Sequence, residues 1–172
     1  MLLSATITAA GGEFARNTVW AEGSTFSPYV SVLYEHRFRS GIALRAGGAV
    51  GTLTVRIDNP WFGNPTVDKK ETFFSVPVSI GYCVGVSSGE HFIEPSLTLQ
   101  GIVSPTQFYH SDYGDESIVC IAPGLLLGWR YEPDNSRLSF KASGGAYILM
   151  GYTVERNKPL YPWLGLGVGW RF

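Results

Sequence analysis

The sequence predicts an all-β fold: an eight-stranded antiparallel up-and-down β-barrel that spans a membrane. Three observations predict it. Many segments alternate large apolar residues with small or polar ones, charged residues are scarce, and short and long connections alternate along the chain. No Pro/Ser-rich linker or charge run divides the 172 residues, so residues 1–172 are interpreted as a single domain.

The composition argues against a water-facing surface. Hydrophobic residues make up 45% of the chain and charged residues only 16%, whereas a typical soluble domain has about 25% charged residues. The net charge of −1 gives no electrostatic footprint for nucleic acid, so we expect no nucleic-acid partner.

The chain offers no segment suited to a membrane-spanning helix. Its longest nearly unbroken apolar stretch, Ile118 to Trp129, is shorter than the ~20 residues that such a helix needs. Met1 to Ala10 lacks a basic region and alternates polar with apolar residues, so we interpret it as part of a first strand. We therefore expect an exported chain whose signal peptide has been removed.

The last segment shows the alternation most clearly, because every second residue is large and apolar while the others are Gly or Arg. A strict period of two gives a strand two different faces. In a membrane barrel the large residues face lipid and the small ones face the interior, which is called the lumen here. The predicted lipid-facing residues of this segment are Leu164, Leu166, Val168, Trp170 and Phe172.

The same alternation predicts eight strands: Leu3–Gly12, Pro28–Phe38, Ile42–Ile57, Thr72–Gly85, His91–Gln100, Val119–Tyr131, Leu138–Tyr152 and Leu164–Phe172. Tight turns are predicted at Arg39–Gly41, Ser87–Gly89 and Pro133–Asn135. Longer loops are predicted at Glu13–Ser27, Asp58–Glu71, Phe108–Glu116 and Glu155–Pro159. Short turns on one rim and long loops on the other are typical of outer-membrane barrels.

With this layout, the chain resembles the small eight-stranded bacterial outer-membrane proteins of the OmpA and OmpX type. The likeness covers essentially the whole chain as a pattern, and residues 167–172, Gly-Val-Gly-Trp-Arg-Phe, resemble the end signal of that family. The resemblance implies a location in the bacterial outer membrane, contact with its lipid and lipopolysaccharide, and recognition of the last strand by the barrel-assembly machinery. It implies nothing about activity, because a fold does not determine a function.

If the apolar faces meet lipid, a set of charged residues points into the lumen near the short turns: Glu35, Arg37, Arg45, Glu94, Arg130, Lys141 and Arg171. Charges removed from water must be paired, because an isolated buried ion costs many kcal/mol. We therefore expect an ion-pair network that acts as a structural plug, since an eight-stranded barrel has room only for side chains. The alternative is a small channel, in which five bases against two acids would favour anions.

Nearer the long loops the inward residues are small, which leaves two interpretations open. One is a cavity that opens toward the loops. The other is that glycines relieve strand curvature while larger side chains fill the space: Tyr29, Leu53, Phe73, Tyr147 and Trp163.

An enzyme that modifies lipid A is the main functional alternative. Pro77, Pro95 and Pro123 interrupt predicted strands, and Pro77 and Pro95 are expected at similar heights on neighbouring strands, where they would weaken a lateral seam. In this feature and in its length the chain resembles the lipid A palmitoyltransferase, an eight-stranded outer-membrane enzyme that admits lipid sideways beside prolines. No catalytic residue is predicted: His110-Ser111-Asp112 is only a weak match to any known site, and the His-x-Ser spacing of the lipid A deacylase is absent.

The long loops offer the remaining candidates. Trp61 and Phe62 lie in a turn-rich loop and could contact a protein partner or pack over the barrel mouth. Residues 109–116 carry oxygen ligands that would suit calcium, but they do not match the spacing of an EF-hand, so we interpret them as a solvated acidic loop and predict no metal or cofactor. The leading interpretation is a non-enzymatic barrel, structural or partner-binding through its loops. A soluble sandwich or lipocalin-like barrel, with the large residues inward, is the architectural alternative.

Overall fold

The computed structural model describes residues 17–24, 29–57, 67–86, 90–104, 118–148, 150 and 160–172. Of residues 53–57, 67–71, 104 and 118–120 it describes the backbone alone. The strands are β1 Asn17–Ser24, β2 Tyr29–Arg37, β3 Ile42–Ile57, β4 Val67–Tyr82, β5 Val84–Val86, β6 His91–Ser104, β7 Ile118–Tyr131, β8 Leu138–Ile148 and β9 Leu160–Arg171. The described part contains no helix long and apolar enough to cross a membrane.

The strands form one closed antiparallel sheet. From β1 to β4 and from β5 to β9 each strand pairs with the next one in the chain, β1 pairs with β9, and β4 pairs with β6 rather than with β5. The short β5 continues β4 beyond Cys83 and also pairs with β6, so β4 and β5 together make one barrel strand. The prediction of an all-β, eight-stranded antiparallel barrel is confirmed.

The register shows how strongly the strands tilt. Thr18 of β1 pairs with Arg171 of β9 on one side. In the other direction the paired residues lead from Thr18 through Glu35, Arg45, Ser79, Thr98, Gly124 and Tyr147 to Tyr161, also on β9. Arg171 and Tyr161 are ten positions apart, and ten steps of about 3.3 Å against eight strand spacings of about 4.8 Å give a tilt of about 40°.

The predicted position of the first strand is wrong. The sequence predicts a long loop at residues 13–27, but Asn17–Ser24 is β1 and closes the barrel against β9. The reason is that Trp20 faces inward while Ala21 and Gly23 face outward, so the large-outward pattern fails on this strand. The predicted strand Leu3–Gly12 lies outside the described residues.

Other strand ends also differ from the prediction. β4 begins at Val67, inside the predicted loop Asp58–Glu71, and β9 begins at Leu160, directly after the predicted loop Glu155–Pro159. β6 continues to Ser104, and β8 ends at Ile148 instead of Tyr152. Two tight turns are confirmed: Gly41, with a positive φ of 90°, donates its N–H to the Phe38 carbonyl, and residues 134 and 135 form the turn between β7 and β8. The predicted turn Ser87–Gly89 and loop Phe108–Glu116 lie outside the described residues.

Candidate functional site in the barrel interior

The structure brings the seven charged residues together inside the barrel, near the tight turns. Each is supplied by an inward-facing position of β2, β3, β6, β7, β8 or β9. Glu35, Arg37, Arg45, Glu94 and Arg130 are at most 3% exposed. Lys141 is also buried, while Arg171, at the barrel end, keeps 13% of its side chain exposed.

The centre of the network consists of two arginines and two glutamates. Arg45 donates from Nε to Glu35 Oε2 and from Nη2 to Glu94 Oε2, both at 2.5 Å. Arg130 Nη2 contacts the same two carboxylates, with 3.2 Å to Glu94 Oε2. Because each charge has two opposite neighbours, the four residues form a neutral unit, as burial requires.

A second unit lies closer to the turns and is built around Glu132. Arg37 binds this carboxylate with both guanidinium nitrogens, Nη1 to Oε1 at 2.9 Å and Nη2 to Oε2 at 2.7 Å. Arg130 Nη1 also donates to Oε1 at 3.0 Å, so Arg130 joins the two units. Arg171 lies 3.6 Å from Oε2 and donates from Nη2 to the carbonyls of Pro133 and Ser136. The network therefore ties the β7–β8 turn to β2 and β9.

Lys141 connects the network to the part of the lumen nearer the long loops, which is called the upper lumen here. Its Nζ lies 3.3 Å from Glu22 Oε1 and 3.6 Å from Glu94 Oε1. Both distances exceed the 2.7–2.9 Å of a strong charge-assisted hydrogen bond. Lys141 is thus bound to its carboxylates more loosely than Arg37, Arg45 and Arg130 are to theirs.

Two members of the network were missed in the sequence. Glu22 lies in a predicted loop, and Glu132 lies between the predicted strand Val119–Tyr131 and the predicted turn Pro133–Asn135. Glu132 lies two positions after the inward-facing Arg130, so the alternation predicts that it also faces inward. It directly follows β7 and is buried. With both added, the described lumen contains five bases and four acids, so the expectation of five bases against two acids is wrong.

Aromatic rings fill the space around the ions. The Arg130 guanidinium carbon lies 4.8 Å from the centre of the Trp20 ring, and that of Arg37 lies 5.5 Å from the centre of the Phe92 ring. Both rings are almost fully buried. Trp20 fits because Gly169 faces it: a Cβ at Gly169 would lie 2.8 Å from Trp20 Cε3.

The upper lumen is also largely filled. Tyr29, Tyr147 and Trp163 pack edge to face, with ring centres 5.0 and 5.4 Å apart, and Phe73 lies beside Tyr29 at 6.2 Å. Beneath them is a cavity of about 30 Å³ lined partly by Ser, Thr and Gln side chains, enough for one or two water molecules. The interpretation that larger side chains fill the space therefore fits Tyr29, Phe73, Tyr147 and Trp163. The side chain of Leu53 is not among those that the structure describes.

The expected alignment of Pro77 with Pro95 is wrong. Pro77 pairs with Gln100, five residues from Pro95 along β6, a distance of about 16 Å. The β4–β6 register continues without a slip from Phe74 to Gly81. Two prolines on adjacent strands therefore do not meet in one weakened seam.

The outward residues are apolar along most strands. The five predicted lipid-facing residues of the last segment, Leu164, Leu166, Val168, Trp170 and Phe172, are 47–64% exposed. Trp129 and Tyr131 stack with His91 on the outer face near the turns. Trp61, Phe62 and His110-Ser111-Asp112 lie outside the described residues. Within the described ranges no group of three or more His, Cys, Asp or Glu side chains could hold a metal ion.

No protein-family model matches the chain, and neither does any curated protein or solved structure. The likeness to outer-membrane proteins of the OmpA and OmpX type therefore stays a prediction from the sequence pattern.

Proposed function

We propose that the chain is a non-enzymatic bacterial outer-membrane barrel, whose lumen is plugged by ion pairs and which serves as a structural component or binds a partner through its long loops. The observation that carries the proposal is the inverted placement of side chains. Arg130 and Glu94 are 0% exposed inside, whereas Leu125 and Leu166 are 67% and 64% exposed outside. Large apolar surfaces that face water promote aggregation, whereas the same surfaces facing hydrocarbon stabilise the barrel.

The height of the apolar surface supports this assignment. Along β7 the outward residues run from Tyr131 to Ile121, ten steps along the strand. At about 3.3 Å per step and a tilt of about 40°, this corresponds to about 25 Å, the height of the apolar band on outer-membrane barrels.

An aromatic girdle supports it further. Exposed or half-buried rings cluster on the outer face at the turn end: Tyr34, Phe38, Tyr82, Trp129, Tyr131, Phe140, Trp170 and Phe172. Trp and Tyr favour the water–hydrocarbon interface because one part of the ring system is apolar and another is polar. A lipocalin-like soluble barrel would place such residues inward, so their position favours the membrane proposal.

The packed lumen favours a plug over a channel. Trp20, Arg37, Arg130 and Phe92 are at most 1% exposed and lie across the turn end of the barrel. In planar bilayers we expect no conductance steps from the folded protein. Regular steps would establish a channel and overturn the plug.

Partners follow from the same proposal: outer-membrane lipid and lipopolysaccharide around the barrel, the barrel-assembly machinery during insertion, and a protein partner at the loops. No enzyme activity is proposed. An altered lipid A mass spectrum on overexpression would contradict that part of the proposal and leave the barrel assignment intact.

The decisive test uses tryptophan fluorescence in vesicles of brominated phospholipid. Variants that keep one of the five tryptophans and carry Phe at the others report one position each. We expect quenching of Trp129 and Trp170, which are exposed outside, and none of the buried Trp20, which is the matched control. A folded barrel in which bromine quenches neither outer tryptophan would contradict the membrane assignment.

A further inference from the structure

We draw no further inference here: the strongest candidate, the pair of adjoining apolar grooves on the outer face of β7, β8 and β9 beside Trp129, Ala142 and Leu166, carries no proposal because nothing in the structure shows what covers them.

Discussion

Arg37 and Glu132 bind each other side by side through two hydrogen bonds of 2.9 and 2.7 Å, although they are 95 positions apart in the chain. Arg37 is the last residue of β2 and Glu132 directly follows β7. The pair therefore crosses the lumen and links two strands that are not neighbours in the sheet. A buried bidentate pair of this kind fixes geometry as well as charge.

Removing one partner should destabilise the barrel more than removing both. We expect Glu132→Gln to lower the free energy of unfolding by about 3–5 kcal/mol, because it removes the buried carboxylate that accepts two hydrogen bonds from Arg37 and one from Arg130. The double variant Arg37→Met/Glu132→Met should recover part of that loss. Urea unfolding of the protein folded in lipid vesicles measures both, with Arg39→Gln in the exposed β2–β3 turn as the control. A Glu132→Gln protein as stable as this control would contradict the pairing.

Arg130 should be the most sensitive base of the network, because it contacts Glu35, Glu94 and Glu132. We expect Arg130→Lys to remain strongly destabilising, since one ammonium group cannot reproduce the fork of hydrogen bonds. Lys141→Met should cost less, because the Lys141 contacts are 3.3 and 3.6 Å long. The urea midpoints of the two variants, measured under the same conditions, show which substitution costs more stability. A lower midpoint for Lys141→Met than for Arg130→Lys would contradict the central role of Arg130 in the network.

Strand parity explains how much of this arrangement the sequence could reveal. The barrel strands β7, β8 and β9 repeat large and small residues regularly, so their faces and the inward positions of Arg130, Lys141 and Arg171 follow from counting by two. β1 could not be recognised in this way. Its largest residue, Trp20, is inside the barrel, and that position depends on the room left by Gly169 on a strand almost 150 residues later.

Partner choice inside the lumen could not be predicted for a different reason. Which charges meet depends on the strand tilt and on side chains that cross the barrel, as Arg37 does to reach Glu132. Alternation along one strand contains no information about either. The sequence therefore predicted that ion pairs would form and where, but not which residues would pair.

A charge on the outer face distinguishes a membrane barrel from a soluble one. Leu125 lies in the middle of the apolar surface of β7, whereas Leu138 lies at the turn end, and both are exposed. In lipid vesicles we expect Leu125→Arg to destabilise the barrel by about 2–4 kcal/mol and Leu138→Arg by about 1 kcal/mol or less, because the cost of a cation falls toward the interface. Equal, small effects at both positions are the result expected of a water-facing surface and would contradict the membrane proposal.

Two strand glycines provide a test of lumen packing and its control: Gly169 faces the lumen, and Gly101 faces outward beside Val76 and Ile121. A Cβ at Gly169 would lie 2.8 Å from Trp20 Cε3 and 2.9 Å from Thr18 Cγ2, whereas a Cβ at Gly101 would meet nothing within 4 Å. We therefore expect Gly169→Ala to destabilise the barrel by about 1–3 kcal/mol through overpacking. Gly101→Ala should be neutral or slightly stabilising, since the strand loses less conformational entropy on folding. Heat-dependent migration on a gel and urea unfolding compare the two variants. In the protein that keeps Trp20 as its one tryptophan, the fluorescence should shift with Gly169→Ala and not with Gly101→Ala. Equal stability of both variants would mean that Trp20 does not pack against Gly169.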